Sequence, residues 1–485
     1  MVRVAKYLAL GGAAVVAGCG SPDGEASRLR VVVVGTPWTG GVAAQLEAEA
    51  TRPTLIARDG SGALVPGLAS SWRFVDDERS LILRLRPVKW SDKTGFDASE
   101  VVAAFRRAAQ RGEAALGHAG IAMGNTPAKL GVLAPISRVV EIRVAAASPL
   151  LLGWLADPGL AVMRAGPVPT LAHYRASGAA TQRTLVRRDE VASPAARPAS
   201  IAIATDSDAV RAIAGFSRGE SDIVIGDGLA GLGEARSAAR PQILQVDALW
   251  GVYGYVANTL KGPLRDPKLR LALSLAADRE ALAARIGLAA MVPVDGLLPP
   301  SLAEAAAQPL DMAARRMLAQ QLLVDTAGVR PPLRLTLLLP PGRDHRVIAE
   351  RIAADWTALG VTLVVSQVGA AAIADKVRRG DFELALTEAS VAVPDPAALL
   401  ARWRCGAGPA CDAVADALFD AVRLAPPAQR QAMLAAAEAK WLEGPPMVPL
   451  LTPLRWALVA RRVEGWTPNR AGSHPLGRLA LTPKR

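Results

Sequence analysis

Residues 64–105, LVPGLASSWRFVDDERSLILRLRPVKWSDKTGFDASEVVAAF, decide the fold reading of this chain. Within them, residues 80–86 (SLILRLR) come to alternate apolar and polar side chains, the period of a half-buried strand. Residues 92–95 form a turn cluster. Asp97 and Glu100 then stand three apart, as the N-cap and N3 partners of a capping box do. Val101, Val102 and Phe105 supply the apolar stripe of the helix that follows. Strand, turn and capped helix occur in many folds, so local physics alone ends there.

The spelling goes further. PGLASSW, VKWSDKTGF and ASEVVAAF, in that order and spacing, resemble family 5 of the bacterial extracellular solute-binding proteins. These are the oligopeptide-, dipeptide- and nickel-type receptors of ABC importers. The resemblance implies an α/β, two-lobed periplasmic binding protein fold of type II, with an extra small N-terminal domain and a ligand cleft between the lobes. It divides the chain into a discontinuous first lobe (29–50, 167–255 and 447–485), a small domain (51–166) and a second lobe (256–446).

Length and composition do not conflict with this and suggest more than one domain or one large multi-lobed body. The chain has 485 residues, 51% of them apolar but only 4% aromatic. Beyond the N-terminus no apolar run reaches the ~18 residues a spanning helix needs. Residues 1–18 read as an export signal, with Arg3 and Lys6 ahead of a short apolar core. Val16-Ala17-Gly18-Cys19 resembles a lipoprotein signal, with Cys19 lipidated and 19–28 as a tether to the membrane. In an oxidising compartment Cys405 and Cys411 are expected to form a disulfide around a short loop. Two thiols and four scattered histidines make no metal site, so no metal or cofactor is expected.

The formal charge of +12 raises nucleic acid, an anionic membrane surface or an acidic ligand as a partner, but arginine is spread thinly without a basic block. No nucleic-acid contact is expected; the charge reads as solvated surface. Gly226, Gly228 and Gly231 spell G-x-G-x-x-G after a strand. They lie, however, in a stretch that matches the binding-protein pattern rather than a dinucleotide fold.

Further blocks extend the pattern. Residues 31–34 read as a buried strand, and 209–216 as a helix before a strand at 223–225. Residues 268–288 read as one amphipathic helix, and helices and strands alternate from 311 to 368. Residues 167–200 carry little signal.

Ligand candidates follow from the resemblance. They are Thr36 and Trp38 after the first strand, Tyr253, Tyr255 and Asn258 near the expected hinge, and Glu388, Ser390, Arg402 and Trp403 in the second lobe. Strand packing is the alternative for the two tyrosines. Peptide receptors of the family carry an acid four positions before the last proline of Pro394-Asp395-Pro396, and a tryptophan three residues earlier. This chain has Ala392 and Ala389 there. The carboxylate that would pair with a peptide ammonium is therefore missing.

The expected function is a lipid-anchored, monomeric receptor that captures a peptide or other small solute and delivers it to an ABC permease and its ATPase. A member that has lost its solute and serves as an envelope interaction protein is the alternative. No H-E-x-x-H or P-loop spelling points to an enzyme.

Overall fold

The computed structural model describes residues 27–482, apart from 36–40, 125–128, 165–169, 180, 189–195, 239, 241–242, 305–309, 325–331 and 423–424. The chain opens with β1 (Arg28–Val34), whose continuous β-branched run suits a strand covered on both faces. A small domain follows. It holds the hairpin β2 (Ile56–Arg58) and β3 (Leu64–Pro66), then β4 (Ala69–Val75), β5 (Ser80–Leu85), β6 (Val132–Ile136) and β7 (Val139–Arg143). Its four-stranded sheet runs β4-β5-β7-β6.

The helix Ala98–Gln110 covers that sheet, and Val101 and Phe105 are buried against it. The capping box at its start forms as expected: Asp97 accepts from Ser99 N at 2.8 Å, and Glu100 reaches back to Asp97 N at 3.2 Å.

The chain then enters a larger sheet with β8 (Tyr174–Ala179), β9 (Gln182–Arg187), β10 (Ser200–Asp206), β11 (Ile223–Asp227) and β12 (Leu244–Ala248). A second sheet takes β13 (Trp250–Ala257), β14 (Leu333–Leu339), β15 (Val361–Gln367), β16 (Leu384–Val391) and β17 (Met447–Leu451). Finally β18 (Leu454–Val459) returns to the first. The first lobe has seven strands in the order β12-β18-β11-β1-β10-β9-β8, and the second five in the order β15-β14-β16-β13-β17.

The backbone crosses between sheets twice, at Leu249 and at 452–453. The two crossings touch, since Leu249 N donates to Pro453 O at 3.1 Å. Two adjacent single-chain links between packed lobes are the geometry of a hinge.

Three sequence expectations change. The sheet switch falls at Leu249, so β13 and β17 pair within the second lobe's sheet, while the expectation gave 250–255 and 447–451 to the first. Both strands are apolar on two faces, and such runs do not reveal which sheet they join. The single helix expected over 268–288 is two, Pro267–Ala276 and Arg279–Ile286. Asp278 breaks it by capping the second, and buried Arg279 turns inward to donate to Val294 O, Pro449 O, Ser274 O and Ala277 O. The weak stretch 167–200 holds the β8–β9 hairpin, an outer edge whose mostly exposed side chains leave little apolar signal.

Cys405 and Cys411 are joined by a disulfide. No helix among the described residues is long and apolar enough to cross a membrane.

Candidate functional site

A cavity of about 1160 Å³ lies where the two lobes meet the small domain. The first lobe contributes Glu49 and Arg455, the small domain Arg58 and Arg86, and the second lobe its strand end at Ser390, Val391, Ala392 and Val393. Ala392 thus faces the space, whereas Ala389 is buried in the second lobe's core.

Arg58 sits opposite that strand end. Its Nη2 donates to Ala392 O at 3.0 Å and its Nη1 to Gly62 O at 3.1 Å. Burial lowers its pKa, against the fields of Glu49 and Asp157. Burial also raises Glu49 and Asp157 above their ordinary values, weakening the only two acids among the described residues of the lining.

The other charged residues of the lining are cationic: Arg52, Arg86, Lys89, Lys93, Arg188, Arg197, Arg455 and Arg478. Arg455 pairs with Asp227 at 3.4 Å, and Arg188 donates to Thr170 O and Ala172 O. His173 lies among them; burial and then the fields of Arg197, Arg478, Arg188 and Arg86 push its pKa down.

The lobes touch beyond the cavity. Asp344 Oδ2 of the second lobe accepts from Gly233 N of the first at 3.0 Å. Glu388 projects from β16 onto Gly228, where a Cβ would stand 2.5 Å from its Oε1. Burial, then Asp227, raise Glu388 to about 8, against the field of Arg455.

Of the candidates read from sequence, Ser390 lines the cavity. Thr36 and Trp38 lie outside the described residues, as does Cys19. Tyr253 and Tyr255 are buried in the core on β13, and the Tyr253 hydroxyl is hydrogen-bonded to His345 Nδ1 at 3.1 Å. Asn258 fastens the end of β13 by donating to Gly380 O at 3.0 Å and Phe382 O at 2.9 Å. Trp403 packs in the second lobe's core, and Arg402 precedes it in a short 3-10 turn, its pKa lowered by burial.

The arginines of the lining escaped sequence reading, because residues 58, 86, 188, 197 and 478 share no local pattern. Arg188 is buried and Arg58, Arg197 and Arg478 are half-buried, so the surface-charge reading does not describe where these four sit, whereas Arg86 is exposed. The G-x-G-x-x-G glycines have packing reasons instead: Gly226 faces the Trp456 ring, Gly228 faces Glu388 at φ +68, and Gly231 faces Ala209. Asp247 accepts from His474 Nε2 and Asn469 N, both at 2.8 Å.

Comparison with known proteins gives a consistent answer. The model of bacterial extracellular solute-binding proteins, family 5 Middle, matches residues 63–410. The periplasmic murein peptide-binding protein MppA of Escherichia coli strain K12 is 31% identical over 141 residues, 28% of this chain and 26% of that relative. A structure of the E. coli murein tripeptide binding protein MppA superposes with a TM-score of 0.80 at 20% identity, covering 94% of this chain and 99% of that one. The unliganded open form of MppA gives 0.64 at 19% identity, with 94% and 97% covered. Haemophilus influenzae OppA, in complex with RPPGFSPFR, gives 0.78 at 19% identity, with 94% and 99% covered. The two-lobed periplasmic binding protein fold is therefore established, and the chain belongs to the bacterial extracellular solute-binding proteins of family 5.

Proposed function

We propose that the protein is the solute-capturing component of an ABC importer, held at the outer side of the membrane by acyl chains on Cys19. The observation that supports this most is the cavity of about 1160 Å³ walled by three parts of the chain that meet across a two-link hinge. A solute there would touch Ser390–Val393 on the second lobe together with the first lobe and the small domain. Its contacts would exist only when the lobes are together, so binding would shift the population toward closure. A permease and its ATPase would then read the closed form of a single receptor chain. No covalent step is required.

A ligand at a hundredfold excess over its Kd should stabilise the folded protein by about 2.7 kcal/mol. Thermal-shift screening with peptides, sugars, metal chelates and organic acids tests this, alongside native mass spectrometry for a carried solute. Failure of every compound, with an empty cavity by mass, would overturn the proposal. For the anchor, Cys19→Ala should move the protein from the membrane to the soluble fraction. Retention of membrane attachment would refute lipidation at that residue.

A further inference from the structure

The geometry points to an oxyanion subsite in the cavity, formed by Arg86, Arg197 and Arg478, so that the captured solute carries carboxylate or phosphate groups. This rests on the solute-capture reading and adds the chemistry of the cargo.

The three residues come from separate parts of the chain: the strand end of the small domain, the segment before β10, and the C-terminal segment of the first lobe. All three line the cavity. Their guanidinium groups make no hydrogen bond and no ion pair with any described residue. Each guanidinium brings five N–H donors and no acceptor. They are close enough to act on one another, since burial and then the charges of Arg197 and Arg86 lower Arg478. Asp59 opposes this from a distance without pairing.

Arg197 and Arg478 are half-buried and Arg86 is exposed; like charges gathered along one cavity wall cost free energy in the empty protein. A bidentate oxyanion removes that cost and fills the open donors. A peptide ammonium would do the opposite. The departure at Ala392 points the same way: the cavity offers Arg58 beside the strand end and no carboxylate on it.

The test is isothermal titration of the purified protein with tricarballylate, triglutamate, glucose 6-phosphate, trialanine and trilysine. Binding of one or more anionic probes, at least about tenfold tighter than trialanine or trilysine, is expected. The double variant R86Q/R478Q should weaken that binding about tenfold or more while its ligand-free melting temperature stays level or rises. R86K/R478K should lose less, because it keeps the charge. Binding of tricarballylate or triglutamate without glucose 6-phosphate assigns a carboxylate ligand, and the reverse a phosphate. Equal or tighter binding of trilysine or trialanine, or full affinity in R86Q/R478Q, overturns the subsite and leaves solute capture standing. No binding of any probe, with no carried solute in native mass spectrometry, overturns both.

Discussion

Trp154 and Asp395 stand 241 residues apart in sequence, yet the indole Nε1 donates to the carboxylate Oδ2 at 3.1 Å. The bond ties the small domain to the second lobe. His118 stacks on Trp154 with ring centroids 4.8 Å apart, and its Nδ1 lies 3.7 Å from the same carboxylate oxygen. Asp395 also caps the helix Pro396–Leu400 by accepting from Ala397 N at 2.9 Å. Alongside, Val393 fills the space that a side chain at Gly153 would need and joins the small domain's apolar cluster. The strand end that borders the cavity is thus fastened from behind.

Trp154→Phe isolates this contact. It keeps the ring on His118 and removes the donor, leaving a buried carboxylate short of one partner. A hydrogen bond to a charged group contributes about 1.5–3 kcal/mol, enough to move the balance between closed and open forms tenfold or more. Small-angle scattering of the ligand-free variant should give a larger radius of gyration than the parent protein. An unchanged radius would show that lobe closure does not depend on the bond.

Glu388 adds a pH dependence to the same closure. Its carboxyl, pushed up to about 8 by burial and Asp227, prefers the proton while it is held against Gly228. In an open form the group regains water and its ordinary value near 4.5. Protonation therefore favours the closed form, and closure weakens as pH rises from about 4.5 through 8. Glu388→Gln should flatten that dependence and hold the lobes together at pH 8.5. Scattering profiles at pH 6 and 8.5 check this; a Gln variant that opens as much as the parent would remove Glu388 from the mechanism.

Asp222 should dominate the stability of the first lobe. Its carboxylate is nearly fully buried and accepts from Arg462 Nε at 2.8 Å and Nη2 at 2.9 Å, and from Arg30 N at 2.8 Å. Burial works to raise its pKa, but the bonds from Arg462 and Arg30 outweigh that and hold it below 3.8. Asp222→Ala leaves Arg462 buried without this partner, at a cost of about 3–5 kcal/mol. Because the folded value is depressed, the contribution is present above pH 3.8 and fades as pH falls through the folded value. Urea unfolding at pH 7 should show the full loss, and a loss under about 1 kcal/mol would contradict the account.

What could be read from sequence followed the range of the interaction responsible. The Asp97–Glu100 capping box is a three-residue device, and it formed where its spelling placed it. β1 (Arg28–Val34) declared itself through the continuous β-branched run of residues 31–34. Tyr253 and Tyr255 show where that logic stops. In a strand buried on both faces, alternation carries no information about which side meets a ligand, and both tyrosines are core. The cationic lining was illegible for another reason. Arg86, Arg197 and Arg478 become neighbours only after the small domain, the β10 lead-in and the C-terminal segment have packed together.

His345 offers a sharp acid-side test of the second lobe's core. The ring is buried, is hydrogen-bonded through Nδ1 to the Tyr253 hydroxyl and stacks against the Tyr253 ring. Burial lowers its pKa from 6.5 to about 4. The folded protein therefore keeps the ring neutral at pH values where the unfolded chain has already taken up a proton. Stability from this group is complete above pH 6.5 and falls as pH drops from 6.5 toward 4, by roughly 3 kcal/mol at 1.36 kcal/mol per unit. Carboxylates titrate in the lower part of that window, so the comparison must be made against His345→Gln, which keeps an acceptor for Tyr253 and cannot titrate. Urea unfolding at half-unit steps from pH 7 to 4 should show the two proteins converging as pH falls, with the variant's curve flatter by about that amount. Parallel curves would mean that His345 takes up its proton in the folded state as readily as in the unfolded chain.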